Sequence, residues 1–140
     1  MNIKSIITII PLILAVVAAE GGTMPNTDAT NIDCLAAAIY KEARGESLTG
    51  KLAVAQVILN RGHNICKTIN QPGQFSWRTN QRLYYDNQSY NLATTIIARG
   101  YSLNGFKATH FHNTTVTPNW TGYQTTIGNH KFYKLTLVKK

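Results

Sequence analysis

The stretch from Lys51 to Asn60 constrains the fold more than any other. Leu52, Ala53, Val54, Ala55, Val57, Ile58 and Leu59 fall on almost every side of a helix, and a helix that is apolar all round belongs inside a core. Thr49 or Gly50 opens it and Gly62 ends it. Asp33 can cap an earlier helix that runs to about Arg44. Ser89 is a candidate cap for a later one, through about Leu103, which would turn Tyr90, Ala93, Ile96, Ile97 and Tyr101 inward. Past Asn104-Gly105 the texture changes. Thr109 to Asn113 and Lys131 to Val138 are rich in aromatic and β-branched residues and read as strands. Lys67 to Gln81, with its Pro72-Gly73 turn, reads as a loop, as does Thr114 to Thr126 with Pro118 and Trp120. Helices first and short strands later make one α+β domain, and 140 residues hold a single core.

One acid sits where this geometry would bury it. Leu35, Ala38 and Ile39 mark one face of the first helix at i, i+3 and i+4, and Glu42 completes that face at i+7. A carboxyl group on an apolar stripe loses hydration, so its pKa rises. A carboxyl still protonated near neutral pH can donate a proton, as cleavage of a glycosidic bond requires. Gly45 breaks the helix and leaves Glu42 in the last turn, beside which a cleft can open. The competing reading is a helix-end acid paired with Lys41 or Arg44 on the surface.

Four blocks occur in series: Glu42-Ala43-Arg44-Gly45-Glu46; Gly50 to Arg61; Gln74-Phe75-Ser76-Trp77; and His110-Phe111-His112-Asn113 followed by Trp120 and Ile127 to Tyr133. In that order and spacing the chain resembles the SleB-type cell-wall hydrolases, peptidoglycan-cleaving enzymes, over roughly Asp33 to Tyr133. The resemblance implies a lysozyme-like arrangement, with a helical N-terminal part and a small antiparallel sheet towards the C-terminus. It places the family's catalytic acid on Glu42.

Residues 1–19 read as a secretory signal. Lys4 is followed by an uncharged apolar run from Ile6 to Val17, and Val17-Ala18-Ala19 supplies small residues for cleavage. An uncleaved signal-anchor, the only membrane attachment expected, is the alternative. Residues 20–32 then read as a flexible lead and 33–140 as the catalytic domain. Cys34 and Cys66 both lie in the exported part, and an even count there suggests a disulfide between helices; two buried thiols are the alternative. Fourteen Lys and Arg against six Asp and Glu favour polyanions. The cations are scattered and no nucleic-acid-binding signature appears, so nucleic acid is not the expected partner. An anionic wall, met by an exported monomer in the periplasm, cell wall or medium, suits both charge and address.

Acids are few enough for elimination. Glu20 and Asp28 lie in the lead, and Asp33 is nine residues before Glu42, about 13 Å along a helix. Paired catalytic carboxyls stand roughly 5–9.5 Å apart, which leaves Glu46 or Asp86 as a second acid. Glu46, just past the glycine, is the better candidate, and its charge could also help keep Glu42 protonated. This scarcity suits a one-carboxylate reaction, and the resemblance implies that of a lytic transglycosylase with a single Glu; a two-carboxylate muramidase stays open. Gln74, Phe75 and Ser76 are candidate groove residues, since aromatic faces stack on sugars and polar side chains bond hydroxyls. His110, His112, Asn113, Trp120 and His130 are candidates for the same groove, and Tyr133 for a hydroxyl aimed at Glu42 or at the developing charge. No cofactor is expected. A three-histidine zinc site from His110, His112 and His130 is conceivable, but the chain has no His-Glu-x-x-His helix and no metal is expected. A non-catalytic wall-binding module is the reading from a different class, and a zinc amidase a third.

Overall fold

The computed structural model describes residues 26–77 and 82–135; the predicted signal segment, residues 1–19, lies outside them. Four helices and three strands follow one another among the described residues: α1 (Asn26–Ala43), α2 (Leu48–Arg61), α3 (Ile65–Ile69), α4 (Asn87–Arg99), β1 (His110–Asn113), β2 (Tyr123–Ile127) and β3 (His130–Tyr133). None of these helices is long and apolar enough to cross a membrane.

The all-round apolarity of α2 has a direct cause. One side of it, with Leu52, Ala55 and Ile58, joins Leu35, Ile39, Ile69, Ala93 and Ile96 in a core shared with α1, α3 and α4. Its other side, with Ala53, Val54 and Val57, packs on Phe106, Ala108 and Phe132 next to and within the sheet. α2 is thus the slab between the helical layer and the sheet. Ser47 caps its start by accepting a hydrogen bond from the Gly50 N–H, and Gly62 closes its end. Near that end Gln56 donates to the Asn60 side-chain oxygen, and the Asn60 amide donates to the carbonyls of Phe106 and Ala108. The chain entering β1 is therefore fixed to the last turn of α2.

Several boundaries differ from the sequence reading. α1 begins at Asn26, so Asn26 to Ile32 are helical and not lead. The apolar stripe runs back to the buried Ile32, and Asp33 is not a cap: its carboxylate accepts the Tyr85 hydroxyl at 2.7 Å. Asp86, not Ser89, caps α4, accepting the Ser89 N–H. α4 stops at Gly100, which takes a left-handed φ of 63°, so Tyr101 lies past the helix and is 53% exposed, and Tyr90 faces outward. The short helix α3 interrupts the predicted loop, capped by Asn64.

The sheet runs in the order β1-β3-β2, antiparallel throughout. β2 falls inside the stretch expected to be a polar loop. Its Tyr-Gln-Thr-Thr-Ile sequence has little apolar signal, and it is a strand because Gly128-Asn129 folds it back onto β3. Gly128 supplies the positive φ of 55° that the first position of such a two-residue turn demands. β3 ends at Tyr133, short of the expected Val138; the Lys134 N–H still donates to the Gly122 carbonyl, and residues 136–138 lie outside the described residues.

Candidate active site

A cleft of about 550 Å³ opens between the end of α1, the end of α2, the 73–75 loop and the sheet. Glu42, Arg61, Gln74, Phe75, Trp120 and the strand residues His110, His112, Asn113 and His130 contribute to its walls. That volume lies in the range of ordinary ligand pockets. The four blocks spread over the sequence therefore meet in one place, because α2 holds α1 on one side and the sheet on the other.

Glu42 stands in the last turn of α1, where the chain turns away at Arg44-Gly45. Burial raises its pKa, and a hydrogen bond from Trp77 partly opposes that rise. The Trp77 indole N–H donates to Oε1 at 2.7 Å. With Oε1 occupied by a donor, the proton of the neutral acid belongs on Oε2, the oxygen left for another partner. Neither Lys41 nor Arg44 forms an ion pair with Glu42 among the described residues; Arg44 lies over the Tyr40 ring instead. Trp77 was part of the motif noted in the sequence, but nothing there singled out its N–H as the partner of the acid.

Glu46 does something else. Its carboxylate accepts the Asn129 N–H, at 3.3 Å to Oε1 and 3.2 Å to Oε2. It fits a slot bounded by two glycines: a Cβ on Gly128 would lie 1.8 Å from its Oε2, and one on Gly50 2.9 Å from its Cβ. Glu46 is therefore the peg that fastens the β2–β3 turn to the helices, and it is absent from the cleft wall. Asp86, the other candidate second acid, is committed to capping α4.

β3 carries His130 from that turn into the cleft. The His130 Nδ1 is buried without a hydrogen-bond partner and 3.9 Å from Glu46 Oε1. Burial lowers its pKa more than the Glu46 charge raises it, so burial favours the neutral imidazole beside this acid. Its ring meets Phe111 edge to face, and Phe111 also touches Phe75.

The other sheet face carries a second aromatic group. His110 and Tyr133 are paired across the strands, and His112 follows His110 on the same side. Trp120 meets His110, His112 and Tyr133 edge to face. The Tyr133 hydroxyl lies 3.1 Å from His112 Nε2 and not on Glu42, one of the two targets expected from the sequence. His112 Nδ1 faces the Asn113 carbonyl at 2.7 Å. The carbonyl only accepts, so in the neutral ring Nδ1 carries the proton and Nε2 accepts from Tyr133. Both nitrogens of His112 are thus engaged. Among the described residues no three His, Cys, Asp or Glu side chains are grouped to hold a metal.

Ser76 is exposed and does not reach the cleft wall, unlike its neighbours Gln74 and Phe75. Conversely, Arg61 and Gly73 do line it without having been singled out. Cys34 and Cys66 form a disulfide joining α1 to α3, with Cα atoms 5.4 Å apart.

Residues 45–133 match the cell wall hydrolase family. That match begins at Gly45, just past Glu42. A spore cortex-lytic enzyme of Bacillus cereus is 30% identical over 126 residues, which is 82% of this chain and 49% of that protein. The chain thus spans about half the length of the curated relatives it matches. Among solved structures, the catalytic domain of the Bacillus cereus SleB protein is 29% identical with a TM-score of 0.62, covering 79% of this chain and 95% of that one. The catalytic domain of a germination-specific lytic transglycosylase, SleB from Bacillus anthracis, is 30% identical with a TM-score of 0.62, covering 81% and 98%. The fold is accordingly the lysozyme-like one of those domains.

Proposed function

Because this chain belongs to the cell wall hydrolase family, we propose that it is an exported enzyme that cleaves the glycan backbone of peptidoglycan, with Glu42 as its single catalytic carboxyl group. The observation that carries this reading is Glu42 itself. Among the described residues it is the one acid in the cleft wall, and burial raises its pKa. The residues 1–19, read as a signal, supply the export step, and the basic surface draws the protein to an anionic wall.

The reaction proposed is that of a lytic transglycosylase. Glu42 Oε2 donates its proton to the glycosidic oxygen between N-acetylmuramic acid and N-acetylglucosamine, and the bond from that oxygen to the anomeric carbon breaks. The carboxylate left behind then takes the proton from the sugar's own 6-hydroxyl as that oxygen attacks the anomeric carbon. Glu42 returns to its neutral form, no water is consumed, and a 1,6-anhydro end remains. Trp77 serves both halves: its N–H fixes the carboxyl rotamer and favours the transient carboxylate. Phe75 and Trp120 provide rings for successive sugars, and the His110 imidazole provides a polar edge.

Glu46 supports this one-acid chemistry by being spent elsewhere, on the Asn129 N–H. Product mass tests the proposal. Peptidoglycan digested by the protein should yield muropeptides one water lighter than hydrolysed ones. Ordinary reducing ends would replace the transglycosylase with a muramidase. Wall binding with no released fragments at all would leave a non-catalytic module.

A further inference from the structure

A second lobe of about 240 Å³, lined by Asn60, Arg61, Gln71, Gln74, Thr109 and His110, shares Arg61, Gln74 and His110 with the main cleft. Its polar groups are unequal. The Asn60 amide is committed to two backbone carbonyls, and the Thr109 hydroxyl to His110 Nδ1 and the Leu135 N–H. Arg61 is the fixed charge. Its guanidinium donates to the Gln71 side-chain oxygen at 3.1 Å, and no carboxylate lies within ion-pair distance of it among the described residues.

An arginine in the last turn of a helix complements the helix dipole without being buried at all. Here the guanidinium is set into the wall between the two lobes, where burial lowers its pKa; burial and then the Arg61 charge lower that of His110. A half-buried cation facing a cleft is stabilised when an anion arrives, and a planar fork suits a carboxylate. A glycan strand of peptidoglycan offers carboxylates at one position, the lactyl arm of muramic acid.

We propose that Arg61 and the lobe beside it form an anion subsite that takes a carboxylate borne on the lactyl arm of the muramic acid residue. This rests on the glycan-cleaving reading above. The carboxylate has two sources, the lactyl group itself where the peptide has been removed, or the peptide attached there. Arg61 then selects which sugar occupies the cleft, since N-acetylglucosamine carries no such group, and so sets the register of the strand across Glu42.

Three soluble glycans decide it: strands with intact peptides, strands stripped by an amidase to the free lactyl carboxylate, and stripped strands with that carboxylate coupled to methylamine. Each is titrated into the Glu42→Gln protein with and without Arg61→Gln, so affinity is read without turnover. At least one charged glycan should bind about tenfold more tightly than the neutralised one, and Arg61→Gln should erase that difference while leaving the neutral glycan's affinity unchanged. Preference for the stripped strands assigns the lactyl carboxylate, and preference for the peptide-bearing strands alone assigns the peptide. Arg61→Lys, which keeps the charge without the fork, should lose affinity for the charged strands only, and it carries the same comparison if Arg61→Gln does not fold. Equal affinities for charged and neutral glycans, or an equal loss on all three, would overturn the subsite. Should the wild-type protein cleave none of the three, the cleavage reading fails, and the affinities still decide the role of Arg61.

Discussion

Glu42 is pulled in two directions, and the balance can be measured. Burial favours its neutral form while the Trp77 N–H favours its charged one, and burial is the larger influence. Glu42→Gln keeps the shape and can still accept the Trp77 hydrogen bond, but it has no acidic proton. Wall cleavage should fall by about 10²–10⁴-fold, the usual worth of a general acid; activity within a few-fold of wild type would remove Glu42 from its role. The sign of the stability effect follows from the raised pKa. Between the ordinary value and the folded one, the native state holds a proton that the unfolded chain has lost, so stability falls as pH rises through that window. Glu42→Gln should show a shallower fall in urea midpoint with pH over the same range. Trp77→Phe removes the donor, along with part of the ring that packs against Phe75, so the acid's pKa should rise further and the alkaline limb of kcat/KM should move to higher pH. A limb that stays put or moves down would mean that another group titrates there. The burial of Glu42 was legible because helical periodicity sets an acid on an apolar stripe, while the choice of Glu42 over a surface acid came from the resemblance. Trp77 and Arg61 were not, since their contacts cross 35 residues in one case and a cleft formed by separate elements in the other.

At the scale of elements, the β2–β3 hairpin is held by one carboxylate in a slot that only glycines leave open. Gly128→Ala meets two penalties, a left-handed φ and a Cβ placed 1.8 Å from Glu46 Oε2. It should destabilise the protein by roughly 1–3 kcal/mol. Combining it with Glu46→Ala removes the clash and leaves the φ penalty, so the two losses should fall short of additive in a urea-melting cycle. Strict additivity would mean that the two residues are not in contact. Glu46→Gln, which retains an acceptor oxygen for the Asn129 N–H, should lower activity modestly, through the placement of His130. A Glu46→Gln protein as inactive as Glu42→Gln would instead identify a second catalytic acid. The hairpin also shows what sequence patterns carry. α2 and the end of α1 are written in local periodicity and capping. β2 is not, because a strand of exposed Tyr, Gln and Thr gains its pairing from a partner; the local signal for it was the Gly128-Asn129 turn. The start of α1 at Asn26 is hidden in the sequence for a similar reason, since Asp33 has cap chemistry but is engaged by Tyr85 from a distant part of the chain.

For the whole molecule, α2 lies in both cores, and α1 reaches the second through Ala43, so neither the helical layer nor the sheet can open without exposing α2. Unfolding should therefore be one cooperative transition, with tertiary and secondary signals coinciding. The Cys34–Cys66 bridge acts on the other side of that equilibrium. It closes a loop of 32 residues, which restricts the unfolded chain by about 3–4 kcal/mol. For a domain of this size that corresponds to roughly 10–20 °C in Tm. Cys34 lies eight residues before Glu42 in α1, about 12 Å along the axis, so the bridge braces the helices well away from the cleft. Unfolded, unreduced protein should titrate no thiols. Reduction should lower Tm by that amount, while turnover on peptidoglycan well below the new Tm should stay within about twofold of the oxidised protein, because packing of α1 on α2 and α4 already positions Glu42. Loss of turnover in reduced protein that is still folded would contradict this division. It would mean that the bridge orders the end of α1, and the acid with it, and does not merely raise the free energy of the unfolded chain.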